Sequence, residues 1–95
     1  MQGKERAVLR RAANSIKTVF NIGKEALNQN LIQGIDQALT ARELVKVCVQ
    51  PAAGISANEA ATAIAEEVGA QVVQVIGGRF VLYRRNPALN RYGIR

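Results

Sequence analysis

The chain has 95 residues, 48% of them hydrophobic, with 13 lysines and arginines against 7 acids and a formal net charge of +6. That describes one domain with one modest core, too apolar for a disordered basic arm. Histidine is absent and there is a single cysteine, which excludes the usual near-neutral proton carrier, the commonest metal ligand and any internal disulfide.

Residues 4–13 (KERAVLRRAA) combine helix formers with an apolar set at Ala7, Val8 and Ala12, Leu9 and Ala13 nearby, and predict a short helix with a basic exposed face. Ile16 to Ile22 is rich in β-branched and aromatic residues and reads as a strand ended by Gly23. A second helix starts after Asn28, whose side chain suits an N-cap, and keeps helical spacing at Leu31, Ile35, Ala38 and Leu39. Gly34 inside it weakens the helix by about 1 kcal/mol relative to alanine. Glu43 to Val49 is a strand stopped by Pro51. Residues 56–68 carry the best helix signals: Ser56 and Glu59 form a capping box, Ala60, Ile64 and Val68 the buried stripe, and Gly69 the stop. Strands at 71–76 and 79–85 follow, joined through Gly77-Gly78 as a hairpin. This α-β-α-β-α-β-β order builds an α+β, two-layer α/β domain, with helices on one or both faces of a small mixed sheet. The domain spans residues 1–85, and residues 86–95 form an irregular basic tail.

Charge is sorted along the chain. Residues 1–24 hold six basic side chains against the single acid Glu5, residues 79–95 hold five against none, and residues 25–78 hold two against six acids. If both ends meet in space they form one positive face bordered by Arg10, Arg11, Lys17, Lys24, Arg84 and Arg85, with Glu59, Glu66 and Glu67 off it. A polyanion, RNA foremost, fits such a face. No apolar run reaches the roughly 18 residues of a membrane span, and no apolar region follows the initial charges as in a signal peptide. A cytoplasmic protein is the expectation.

Gly23-Lys24 lies between a strand and a helix start, where glycine admits close backbone approach and lysine adds charge for a phosphate; the alternative is a plain turn with a solvated lysine. No Walker-type glycine run precedes Lys24. In the last strand, Arg79 opens the basic segment, and Tyr83 and Arg85 share one face while Leu82 and Arg84 share the other. Tyr83 either stacks a base, with Arg84 and Arg85 on phosphate, or packs at the sheet edge with a wet hydroxyl. Cys48 behaves as a small hydrophobe with no histidine to activate it. Glu66 and Glu67 are adjacent on a helix, point in different directions and form no acid/base pair. Nothing here implies an enzyme, a metal or a cofactor.

Several short pieces share an order with a known family. They are Leu9-Arg10-Arg11 with Ala12 to Ile16, Lys17-Thr18-Val19 leading into Ile22-Gly23-Lys24, Leu44-Val45-Lys46-Val47, and Val75-Ile76-Gly77 followed by Val81-Leu82-Tyr83-Arg84. From about Leu9 to Arg85 the chain resembles the CRS1–YhbY family, the CRM domain, in its stand-alone bacterial form. The resemblance implies a four-stranded sheet in the order read above, similar to the C-terminal domain of a bacterial translation initiation factor. It also implies RNA binding, with bacterial members associated with precursors of the large ribosomal subunit and plant relatives with intron splicing. The family's GxxG contact loop falls on Gly23-Lys24-Glu25-Ala26, where Ala26 replaces the second glycine and Glu25 sits beside the lysine; Thr18 stands where the family usually has proline.

The expected RNA contacts are therefore Arg10, Arg11, Lys17, Gly23, Lys24, Arg79, Tyr83, Arg84 and Arg85. The first reading is a monomer that binds structured ribosomal RNA of the large subunit and assists ribosome assembly, with no small-molecule substrate. A subunit acting in splicing or other RNA processing is the second. The third is a protein-interaction adaptor whose basic ends meet acidic partners.

Overall fold

The computed structural model describes residues 3–94; Arg95, counted above in the basic tail, lies outside them. Helix α1 (Gly3–Ala13) leads to strand β1 (Thr18–Ile22), helix α2 (Gln29–Arg42) and strand β2 (Leu44–Val49). A single 3-10 turn (Pro51–Ala53), helix α3 (Ala57–Val68) and the hairpin of β3 (Gln71–Ile76) and β4 (Arg79–Tyr83) complete the order. This is the α+β architecture that the periodicities imply. None of these helices is long and apolar enough to cross a membrane.

The four strands lie in the order β1-β2-β4-β3, with β1 parallel to β2 and the other pairs antiparallel. A parallel pair needs a crossover, and α2 supplies it. Strand alternation then divides the core in two. Val45, Val47, Val49, Phe80 and Leu82 pack against α2 and α3 through Ile35, Leu39, Ala60 and Ile64. Leu44, Val73, Val81 and Tyr83 face the opposite side and pack against Leu9 and Ala13 of α1. Helix α1 is thus the one helix on that face of the sheet, joined there by Tyr92 and Ile94.

Local chemistry explains the boundaries. Ser56 Oγ accepts from the Glu59 N–H at 3.0 Å while Glu59 Oε1 accepts from the Ser56 N–H at 3.1 Å, the capping box read from the spacing. Asn28 Oδ1 accepts from the Leu31 N–H at 2.9 Å and opens α2. Gly34 has a packing reason: a β-carbon there would sit 3.0 Å from the Phe20 ring, so its absence lets β1 approach α2. Strand β1 starts two residues later than its β-branched run suggests, because Ile16 leaves the strand and packs in the α1-side cluster. The bulge in β3 between Val72 and Gln74 is pinned by Arg6, whose Nη1 donates to the carbonyls of Val72 (3.1 Å) and Val73 (2.9 Å).

Glu43 is the one fully buried charged residue among those described. It is not a strand residue. Its φ of 66° ends α2, and its N–H closes on the Leu39 carbonyl at 2.8 Å. The carboxylate is satisfied by two backbone donors, the Asn86 N–H at 2.8 Å on Oε2 and the Arg91 N–H at 2.7 Å on Oε1. Residues 86–94 hold no helix or strand, yet they are docked. Ile94 is buried, and Tyr92 packs edge-on to Tyr83 with ring centroids 6.4 Å apart.

Strand β4 ends at Tyr83 rather than at residue 85 because Arg84 turns toward the helices. Its Nη1 reaches Asp36 Oδ1 and the Val68 carbonyl (2.9 Å), and its Nη2 reaches the Asp36 carbonyl (2.8 Å) and Thr40 Oγ1 (2.7 Å). Arg84→Ala should therefore destabilise the fold by about 1–3 kcal/mol, the range for charged hydrogen bonds with a partly exposed partner. Arg84→Lys should recover only part of this, since one ammonium cannot replace a fork; equal urea midpoints for lysine and wild type would refute the staple.

The Tyr83 hydroxyl is buried without a hydrogen-bond partner. Burial first, then the Glu43 carboxylate, raise its pKa above the ordinary value. The neutral phenol is the form the fold favours, so this contribution is complete below about pH 10 and is lost as pH rises through the higher folded-state value. Tyr83→Phe should be neutral or stabilising by up to about 1 kcal/mol, since it removes an unsatisfied polar group. It should also flatten the alkaline loss of stability in a pH series of thermal melts.

Candidate nucleic-acid interface

The sheet sorts the charges by face. Glu59, Glu66 and Glu67 are exposed on α3, which covers the face opposite α1. Arg10 and Arg11 are exposed on α1, and Lys17 is exposed in the segment that follows it. Two basic residues of the acidic middle segment also line surface clefts. Lys46 alternates with the helix-facing Val45 and Val47, and Arg42 closes α2 beside the start of β2. The face across from the α3 acids is therefore cationic. It can hold an anionic chain by charge without any covalent chemistry.

Two sets of basic groups occupy different ends of the sheet. At the carboxyl ends of β1 and β2, the Gln50 N–H donates to the Ile22 carbonyl at 2.8 Å and the Val49 N–H to the Gly78 carbonyl at 2.6 Å. These bonds bring the Gly23 loop and the β3–β4 hairpin to one end, with Lys24 and Arg79 both exposed there. Lys46 and Arg79 line a shallow cleft of about 190 Å³ with Asn14, Gln74 and Ile76. At the other end, Lys17, Arg42 and Arg91 line a cleft of about 350 Å³.

The loop after β1 is a turn closed by the Ala26 N–H on the Gly23 carbonyl at 2.9 Å. Ala26 has φ of 50°, so it holds a left-handed conformation that glycine adopts without strain. Gly23 differs. Its φ is not positive, and a β-carbon there would meet nothing within 4 Å. Neither packing nor dihedral angle demands glycine at position 23, which leaves the open surface above the loop as what a side chain would cover. Glu25 is turned toward the cap of α2, its Oε2 3.4 Å from Asn28 Nδ2.

Tyr83 requires a correction. Its ring is only 3% exposed, wedged against α1 and Tyr92, and offers no face to a base. Arg84 staples β4, α2 and α3, its guanidinium holding oxygen partners while the side chain stays 22% exposed. Arg85 remains exposed and spends only Nε, on the Ile94 carbonyl at 3.0 Å. Arg10, Arg11, Lys17, Lys24 and Arg79 remain exposed, with Gly23 half-buried. The basic and aromatic cleft-lining residues absent from the expected contacts are Arg42, Lys46, Arg91 and Tyr92. Strand alternation was a signal for Lys46. Arg91 was counted in the basic carboxyl-terminal segment, but nothing local placed it or Tyr92 at this cleft, because the buried carboxylate of Glu43 decides where they lie.

Among the described residues, no group of three or more histidine, cysteine or acidic side chains can hold a metal. Cys48 lies half-buried on β2, its Sγ 3.9 Å from Gln50 Nε2.

Comparison with known proteins bears on the whole domain. Residues 1–84 match the CRS1 / YhbY (CRM) domain. The chain is 37% identical over 86 residues to the Bacillus subtilis protein named "Probable RNA-binding protein YqeI", covering 90% of each. It is 32% identical over 94 residues to "Probable RNA-binding protein MJ0652" of Methanocaldococcus jannaschii, covering 97% of this chain and 69% of that protein. The solution structure of SAV1595 from Staphylococcus aureus superimposes with a TM-score of 0.74 at 38% identity, covering 90% of each chain. With the family match spanning residues 1–84 and relatives of this identity and coverage, the chain belongs to the CRS1 / YhbY (CRM) domain family.

Proposed function

We propose that this protein binds RNA through the α1 side of its sheet and the Gly23 loop. The observation that carries the reading is the partition of charge by the sheet, with exposed cations on the α1 side and the α3 acids on the other. Family membership supports it, as do relatives that are themselves named RNA-binding proteins. A rigid cationic face recognises a structured RNA by backbone position and shape rather than by base sequence. The finer proposal is that the RNA is ribosomal RNA of the large subunit or its precursor. The protein would act there as a monomeric cytoplasmic assembly factor. Crosslinking in cells followed by sequencing of the bound RNA tests this directly. Recovery of large-subunit precursor RNA is the expected result, and enrichment of intron RNA would replace it with the splicing reading.

Binding to a ribosomal RNA fragment should weaken steeply with salt, because each neutralised phosphate releases counterions. Lys24→Glu should lower affinity and flatten the log–log salt slope, whereas Glu25→Lys should raise affinity at low salt with a benefit that fades under screening. Titrations at two salt concentrations measure both. A flat slope in the native protein would favour an adaptor for acidic proteins.

The Ala26 position separates fold from contact. Ala26→Gly should stabilise the protein by roughly 0.5–1 kcal/mol, as relief of left-handed strain outweighs added chain entropy. Thermal melts check this; a lower melting temperature would show that the alanine conformation carries no strain.

A further inference from the structure

The cleft of about 350 Å³ at the amino-terminal end of β1 and β2 combines apolar, cationic and aromatic side chains. Its apolar surface comes from Ile16, Val19 and Leu44, and Val19 remains 45% exposed. Lys17, Arg42 and Arg91 supply three cations, and Tyr92 is the aromatic wall. Among the described residues, no acidic side chain lines it. Glu43, the acid beside Arg42 in sequence, is fully buried with both oxygens occupied by backbone N–H groups of the tail. That clamp places Arg91, and with it Tyr92, at the cleft. Both belong to the segment beyond residue 84, where the family match ends.

We propose that this cleft is a subsite for a single unpaired nucleotide of RNA, with the base against Tyr92 and the apolar floor and the flanking phosphates on Lys17, Arg42 and Arg91. The inference rests on the RNA-binding reading and adds to it a site distinct from the Gly23 loop. The volume lies at the small end of the roughly 300–1,000 Å³ range of ligand clefts, room for one nucleotide but not for a duplex. Unpaired bases in RNA are recognised by stacking on aromatic rings while cations hold the adjoining backbone. An apolar floor has no use for a bare phosphate, and three cations have no use for a purely apolar ligand. A nucleotide satisfies both. The docked tail closes one wall of the subsite.

The chain's two tyrosines make the test direct. In the Tyr83→Phe background Tyr92 is the sole tyrosine reporter. Titration of that full-length protein with a short single-stranded oligouridylate should quench Tyr92 emission, while a blunt RNA duplex should bind without quenching. Arg42→Gln with Arg91→Gln removes exposed charge, and circular dichroism should report an intact fold. This double variant should bind the oligouridylate about tenfold more weakly at low salt, with a shallower salt slope. Tyr92→Leu should cost roughly tenfold, the size of one base–aromatic contact, with the duplex little affected. If these variants leave oligouridylate affinity unchanged while Lys24→Glu still weakens duplex binding, the subsite is overturned and the RNA-binding reading stands. If the native protein binds neither RNA, that reading fails and takes the subsite with it. Polyglutamate that quenches Tyr92 and competes as strongly as the oligouridylate would reduce the cleft to a charge trap and also overturn the proposal.

Discussion

The buried carboxylate of Glu43 ties the carboxyl-terminal tail to the junction of α2 and β2. A buried charge is costly unless its oxygens are satisfied, and here two backbone N–H groups from residues 86 and 91 satisfy them. The same residue ends α2 with a positive φ, and its carbonyl accepts the Arg84 N–H at 2.9 Å just past β4. One position therefore fixes where α2 stops, where β2 begins and where the tail runs. Because Tyr92 then packs on Tyr83, the clamp also helps to close the α1-side core.

The second organising constraint is the sheet itself. Side chains alternate across a strand, so a four-stranded sheet with α2 and α3 on one face leaves the other to one helix, α1, and the docked tail. One short helix cannot cover four strands. Two clefts open on the uncovered parts, and among the described residues both are lined by cations rather than acids. The proposed RNA face is in this sense a consequence of incomplete coverage, with basic residues placed where apolar packing runs out. Arg84 shows the limit of counting charge: it lies between Tyr83 and Arg85 in sequence, yet its guanidinium bonds to α2 and α3.

Much of the fold was legible because its signals are local. The capping box at Ser56 and Glu59, the cap at Asn28, the stop at Gly69 and the Gly77-Gly78 hairpin each depend on residues a few positions apart. The family resemblance rested on short motifs in order, and it held across the domain. Alternation also put Leu82 with Arg84, and Tyr83 with Arg85, on opposite faces. What alternation could not say is that both faces are covered at that point, so that Tyr83 is buried and Arg84 is engaged.

By itself, then, the sequence determined the elements, their order, the family and the segregation of charge, because helical and strand periods, caps and turns act over a few residues. Only the tertiary structure decided which cations share a surface. Arg42 and Arg91 are 49 positions apart in the numbering and meet at one cleft because a buried carboxylate binds the tail back onto the end of α2. A contact of that range has no local signature. Its energy comes from the desolvated Glu43 carboxylate and the two N–H donors that satisfy it, and that pairing exists only once the core has closed around it.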